Sequence, residues 1–171
     1  MTIRAHKPEF NFREKLKELD YAHVPYDKMP AGSVIQVVEG FSITQVESSF
    51  SSDTSLGLSA SISPKFSNSK ILVMVNLTGC GSRDSATYWR SILKRDSTNL
   101  ASFNNYTGSQ QASGGEQYPN GMYLDSPNTT SSITYAMYGL RVNGTVNCYA
   151  IHNDSQNPRQ RATIVLMEIS Q

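Results

Sequence analysis

The sequence lacks the features that mark several large classes of protein. No run approaches the roughly 18 apolar residues of a membrane-spanning helix, and the first residues lack the apolar core of a secretion signal. The formal net charge is only +1 and charged residues make up 17% of the chain, so the composition does not suggest a nucleic-acid groove. These absences predict a protein with no nucleic-acid or membrane partner, made in a cytoplasm without secretion.

Cysteine and tryptophan are scarce as well. Cys80 and Cys148 are too few for a disulfide framework, and neither stands in a CxxC or other metal-binding spacing. We interpret both as small buried apolar residues. The one tryptophan, Trp89, is assigned to the core because a single large aromatic residue in a β-domain usually supplies buried area, with a place in an interface as the alternative.

Motifs of catalysis are missing too. The sequence contains no nucleophile elbow, no HExxH pair and no phosphate-binding glycine loop. His6 and His23 are isolated, and the run His152-Asn153-Asp154 precedes a turn, where such side chains normally cap the backbone. The carboxylates that a glycosidase dyad would need have no spacing that links them: Asp53, Glu116, Asp125 and Glu168. We therefore expect a non-enzymatic protein with no cofactor and no metal.

What the sequence does have, from residue 33 onward, is an apolar periodicity close to two. SLGLSASI places Leu56, Leu58, Ala60 and Ile62 on one face. Similar runs are KILVMVNLT, ATYWRSILKR, SSITYAMYGLR, GTVNCYAIH and ATIVLMEI, separated by turn-rich pieces. Asn143-Gly144 is the strongest signal for a two-residue hairpin turn. The pattern predicts an all-β, jelly-roll-like antiparallel β-sandwich head over residues 33–171.

Several of these strands are apolar on both faces. In KILVMVNLT, Ile71 and Val73 oppose Leu72 and Met74, and SSITYAMYGLR and ATIVLMEI repeat the pattern. A sandwich of two sheets has too few interior faces for all of these side chains. Either they are central strands covered by loops, or an outer face is buried against copies of the chain. We favour the second explanation and predict a homotrimer.

Residues 1–32 differ from the rest and are predicted to form an N-terminal arm. Asn11 can cap a short helix over residues 11–19, and Pro25 and Pro30 then favour an extended strap. A helix this short is marginal alone in water, so its apolar stripe must pack against something. The apolar residues proposed for docking are Phe10, Phe12, Leu16, Leu19 and Tyr21.

Three stretches carry a resemblance to a known group of proteins. KPEFNFREKLKELD is similar to the opening segment of virion proteins from marine tailed phages. ISPKFSNSKILVMVNLTG and WRSILKRDSTNLA resemble the β-domain of such proteins. The resemblance implies a non-enzymatic structural protein of a phage particle with a trimeric β-sandwich head. The chain has no heptads or collagen-like repeats for a shaft, which argues against a long tail fibre.

These observations combine into one functional prediction. The protein is expected on the virion surface as a capsid decoration or cement protein, synthesised in the host cytoplasm. Residues 1–32 would dock on the major capsid protein or another virion protein, or else the helix would cover its own sandwich or swap onto a neighbouring subunit. The alternative function is a tail-fibre or receptor-binding module that contacts host surface glycans.

Residues 104–125 are where the sequence predicts such a glycan contact. Tyr106, Tyr118 and Tyr123 lie there among Asn, Gln and Ser, a mixture used for adaptable polar and stacking contacts. The alternative is a hydrophilic loop and strand without a ligand.

Overall fold

The structure is a computed structural model that describes residues 25–83, 86–107, 117–152 and 160–171, with residues 104–107 described by their backbone alone. Within these ranges the chain forms strands and a single 3₁₀ turn at Tyr26–Lys28. The strands are β1 Val34–Ser42, β2 Val46–Ser48, β3 Thr54–Ile62, β4 Lys70–Asn76, β5 Gly81–Ser82, β6 Tyr88–Arg95, β7 Thr98–Thr107, β8 Asn120–Asp125, β9 Ile133–Asn143, β10 Cys148–Ala150 and β11 Ala162–Ile169.

Two antiparallel four-stranded sheets form the sandwich. One sheet has the strand order β1-β11-β4-β8 and the other has the order β3-β9-β6-β7. The chain passes between the sheets in the double Greek-key path of a jelly roll. A small third sheet, β2-β10-β5, is built from the connections between the main strands. The predicted all-β sandwich of jelly-roll type is confirmed.

The core lies between the two main sheets and follows the period of two. On β3 the buried positions alternate with exposed ones, and the buried side chains are the Leu56, Leu58, Ala60 and Ile62 predicted to share a face. Alternating side chains of β4, β9 and β11 complete the core from both sheets. Trp89 is fully buried, packs edge-to-face on Phe50 and donates its indole N–H to the Gly81 carbonyl at 2.9 Å. The prediction that Trp89 belongs to the core is confirmed.

The sandwich has two different ends. The lead end carries the entry of the chain at residues 25–33, the connections 63–69, 96–97 and 126–132, and the carboxyl terminus. The loop end carries the connections in which β2, β5 and β10 lie. Because β1 runs from the lead end to the loop end, the segment that precedes it leaves the head at the end opposite the small sheet.

Two local predictions are wrong. Asn143-Gly144 does not form a two-residue hairpin, because β9 pairs with β3 and β6 whereas β10 pairs with β2 and β5. Only Gly144 of the two has a positive φ, and its turn packs on Thr87, whose hydroxyl accepts hydrogen bonds from the next two backbone N–H groups. The strap after Pro25 is extended only in part, because Tyr26–Lys28 forms a 3₁₀ turn.

Candidate interaction surfaces

The lead end ties the entering chain firmly to the last strand. Gly32 donates its backbone N–H to the Ser170 carbonyl at 2.8 Å, and Ser170 donates to the Ser33 carbonyl at 2.9 Å. The Lys65 ammonium lies 5.9 Å from the centre of the Tyr26 ring, which adds a weak cation–π contact. The strap over residues 25–32 therefore lies against the head, and the chain enters the head at a fixed point beside Ser170.

A buried carboxylate holds the neighbouring connection at the same end. Glu168 is fully buried, and its Oε1 accepts the backbone N–H groups of Lys65 at 2.7 Å and Phe66 at 3.3 Å. Its Oε2 accepts the side-chain amide of Gln36 at 2.6 Å. A buried charge is tolerated where hydrogen bonds replace its water, so Glu168 acts as a structural anchor for the β3–β4 connection.

A second buried polar group links the two sheets. Asp125, on β8, accepts from the Arg95 guanidinium at 2.6 Å and from the Tyr135 hydroxyl at 2.7 Å, and both donors belong to the opposite sheet. Burial raises the pKa of the Tyr135 hydroxyl, and the hydrogen bond to the Asp125 carboxylate raises it further. Asp125, Arg95 and Tyr135 each have a hydrogen-bond partner within the head, so the cluster links the two sheets.

The loop end carries a partly exposed charged and aromatic cluster. The Arg83 Nε donates to Glu47 at 3.0 Å, and its guanidinium lies 4.9 Å from the centre of the Tyr149 ring. The hydrogen bond from Arg83 holds the pKa of the Glu47 carboxyl below its usual value. The His152 ring also belongs to this cluster, with its centre 4.9 Å from that of the Tyr149 ring. The cluster joins β2, β5 and β10 and forms part of the surface opposite the lead end.

An extended apolar surface lies along the outward side of the β1-β11-β4-β8 sheet, and we call it the apolar face. Its register aligns side chains in rows across all four strands. One row is Val37, Met167, Leu72 and Leu124, and the next is Glu39, Val165, Met74 and Met122. Val37 is 55% exposed, Phe41 59%, Met122 71% and Leu124 51%. A solvated outer face of an antiparallel sheet normally carries polar side chains in these positions.

The structure places the tyrosines of the predicted glycan contact apart. Tyr118 is 54% exposed just before β8 begins, whereas Tyr123 points inward from β8 and packs partly buried against the core. The side chain of Tyr106 lies outside the described residues. The described pair therefore does not form one stacking surface, and Tyr118 is the exposed member.

The residues of the predicted docking arm also lie outside the described residues. This holds for the helix over 11–19 and for its side chains Phe10, Phe12, Leu16, Leu19 and Tyr21. His6, His23, Glu116, Asn153 and Asp154 lie outside as well. The docking role of residues 1–32 stays a prediction.

The remaining residues considered in the sequence, two cysteines and two carboxylates, have contacts typical of structural residues. Cys80 and Cys148 are both buried and form no disulfide, as predicted. Asp53 pairs with Lys94 on the outward side of the second sheet, far in the fold from Glu168, which anchors the lead end. In the described ranges no three His, Cys, Asp or Glu side chains gather closely enough to hold a metal ion. The described residues also contain no helix with the length and hydropathy that a bilayer crossing needs.

Sequence reasoning missed half of the apolar face. The two-sided pattern identified β4 and β11, whose outward residues form the centre of the face, but not β1 and β8, whose outward residues are its most exposed members. It also identified β9, which lies in the other sheet, where its outward residues are half-buried. A signal was present in Val37 and Phe41, two apolar residues that share one face of β1 with Glu39. Only the sheet order shows that this face lies beside the outward residues of β11.

No protein-family model matches the chain, and a search of curated proteins finds no match. The surfaces of the molecule and the resemblance of its sequence segments are therefore the observations that bear on its function.

Proposed function

We propose that the protein is a non-enzymatic structural component of a bacteriophage particle, a capsid decoration or cement protein on the virion surface. Residues 1–32 dock on the major capsid protein or another virion protein, and the jelly-roll head assembles as a homotrimer that faces outward. The resemblance of residues 7–20 and of the segments 62–79 and 89–101 to phage virion proteins supports this assignment.

The observation that carries the proposal is the polarity of the head. The chain enters at the lead end, where Gly32 and Ser33 are bonded to Ser170, and the small sheet lies at the opposite end. A segment that starts from a fixed point at one end can attach to a surface while the other end points away from it. The apolar stripe of Phe12, Leu16 and Leu19 supplies the docking contacts, each contributing about 1.5–3 kcal/mol before ordering costs.

Docking is tested by adding purified protein to phage particles that lack it and measuring the copies bound per particle. Phe12→Glu and Leu16→Glu place a charge in the apolar stripe, so binding is expected to fall by about tenfold or more for each. Lys17→Glu changes a residue outside the stripe and serves as the matched control. Equal binding of the stripe variants, the control and the unchanged protein would refute docking through residues 1–32.

Location on the particle is a separate test. Antibody labelling of intact particles is expected to mark the whole shell, with many copies per particle. Labelling confined to the tail would contradict a capsid decoration role.

A second candidate function is a tail-fibre or receptor-binding module. The observation in its favour is the loop end, where the connections that carry β2, β5 and β10 gather and where Arg83 and Tyr149 lie beside each other. Long connections on a rigid sandwich are frequent carriers of binding sites, and Tyr118 offers an exposed ring for stacking on a sugar. The ligand would be a host surface glycan.

This candidate is tested by binding of the full-length protein to purified host surface polysaccharide. Tyr118→Ala removes the exposed ring and is expected to abolish the retention that a glycan site produces. Ser59→Ala, at an exposed position on the outward side of the second sheet, is the control. If the unchanged protein is not retained, the receptor-binding candidate is rejected.

A further inference from the structure

The apolar face is continuous across the whole width of its sheet. The row Val37, Met167, Leu72 and Leu124 contains no polar residue, and the row beside it contains one, Glu39. The next row toward the loop end is more polar and consists of Phe41, Thr163, Asn76 and Asn120. A shallow depression between these last rows is lined by Met74, Met122 and Val165 on its apolar side.

Exposure is greatest at the two borders of this face. Val37 and Phe41 lie on the edge strand β1, and Met122 and Leu124 lie on the opposite edge strand β8. The outward side chains of the central strands β11 and β4, such as Met74 and Met167, are half-buried by their neighbours. A partner that covers the face must therefore contact both borders, and copies arranged around an axis parallel to the strands can do this, because each face then meets one neighbour at its β1 border and another at its β8 border.

The second sheet shows what a solvated outer face looks like in the same molecule. Its outward rows are Ser55, Tyr138, Ile92 and Ser102, and Ser59, Ala136, Lys94 and Asn99. The Lys94 ammonium lies 4.6 Å from the centre of the Tyr138 ring and pairs with Asp53, so the large aromatic side chain is covered by a charged one. Among the described residues the apolar face has one such cover, where Arg161 lies 4.5 Å from the Phe41 ring and bonds Glu39.

Charge and size both indicate what covers the apolar face. The described charged groups on the β1 border, Glu39 and Arg161, pair with each other, so the face carries little net charge to repel a second copy. Strands about 4.8 Å apart and a rise of about 3.3 Å per residue give a face of roughly 15 by 25 Å. Two such flat faces cover roughly 750 Å², below the roughly 1,000 Å² that a specific interface buries, and the exposed side chains that stand on them, such as Phe41 and Met122, add to that area.

The direction of the strands supplies a further argument. The face runs along the strands, so copies arranged side by side around an axis parallel to the strands keep their lead ends on the same side. Such an arrangement lets every lead segment reach one supporting surface at once, which multiplies weak contacts through effective concentration.

We propose that the apolar face is the surface through which copies of this chain contact each other, with Val37 and Phe41 at one border and Met122 and Leu124 at the other. The inference deepens the proposed function, and it rests on that function for the number of copies. The occupant of the face is a second copy of the chain, not its own residues 1–24.

The test uses the full-length chain and measures self-association by sedimentation. Val37→Glu and Met122→Glu each place a charge on one border at a position that faces water in the single chain, so the head is expected to fold in both. The dissociation constant between copies is expected to rise by about tenfold or more, because the charge loses its water in the contact. Ser59→Glu, on an exposed position of β3, makes the same change on the other sheet and is expected to leave association unchanged.

Circular dichroism of each variant confirms that the head is folded before its mass is interpreted. Association that persists in both border variants would overturn the proposal, as would association that is lost in Phe12→Glu but not in the border variants, since the lead segment would then hold the copies together. A single-chain mass for the unchanged protein would overturn it too. A face-dependent dimer would support the proposal while rejecting the homotrimer, and failure to bind particles would reject the proposed function alone.

Discussion

Individual polar residues hold the sandwich together at points where its core is not apolar. Asp125 accepts from Arg95 and Tyr135, and these hydrogen bonds cross from one sheet to the other. Buried polar groups of this kind are stable only when each donor and acceptor is satisfied, and removing one partner leaves the others without compensation. The cluster therefore fixes the relative position of the sheets.

Tyr135 gives this cluster a pH dependence at alkaline pH. Because burial and the Asp125 carboxylate raise the pKa of Tyr135 above the value of about 10 that the unfolded chain has, its contribution is intact below pH 10 and lost as the pH rises. The free energy of unfolding is expected to fall by up to about 1.4 kcal/mol per pH unit above pH 10 from this group. Urea unfolding of the unchanged protein and of Tyr135→Phe at pH 9 to 11 measures the difference in slope. Parallel slopes would show that Tyr135 does not ionise on unfolding.

Glu168 offers a test of the anchor at the lead end. In Glu168→Gln one carboxylate oxygen becomes an amide that faces either the Lys65 N–H or the Gln36 amide, so two donors meet. The free energy of unfolding is expected to fall by about 1–3 kcal/mol. Glu39→Gln changes an exposed glutamate on the same sheet and is expected to cost about 0–1 kcal/mol. Equal urea midpoints for the two variants would contradict an anchoring role.

At the scale of elements, the strands with a clear period of two were predictable. β3 and β4 alternate buried and half-buried or exposed residues along their length, and the sequence places them correctly. The small sheet was predictable only in part, because the run GTVNCYAIH contains β10 whereas β2 and β5 are too short to show a period. The prediction of a hairpin at Asn143-Gly144 was wrong because a local turn signal does not reveal that β10 pairs with distant strands.

Strands β1 and β3, which belong to different sheets, approach each other closely at Gly40. A Cβ on Gly40 would lie 2.0 Å from the backbone oxygen of Ser59, so Gly40→Ala must push the two sheets apart. The free energy of unfolding is expected to fall by about 1–3 kcal/mol. Glu39→Ala, on the adjacent outward position, is the control and is expected to change stability by under about 1 kcal/mol. Similar thermal midpoints for both variants would rule out the tight contact.

At the scale of the whole molecule, the sequence reveals an excess of apolar surface but not its position. The two-sided patterns of β4, β9 and β11 predicted that an outer face is buried; β4 and β11 share the sheet with exposed apolar side chains, whereas β9 lies in the other sheet. Which residues complete that face depends on the sheet order, because β1 and β8 are far apart in the chain and join the same rows only after folding. Of the predicted tyrosine surface, Tyr118 is exposed whereas Tyr123 packs against the core, a difference that only the folded strand β8 reveals.

The central claim is that this face is covered by further copies of the chain. The most direct test is the mass of the unchanged full-length protein in solution, measured by sedimentation equilibrium over a range of concentrations. One chain has a mass of 18.9 kDa, and the account predicts a species of about three times that mass that persists on dilution to micromolar concentrations. A mass of 18.9 kDa at every concentration would contradict the account.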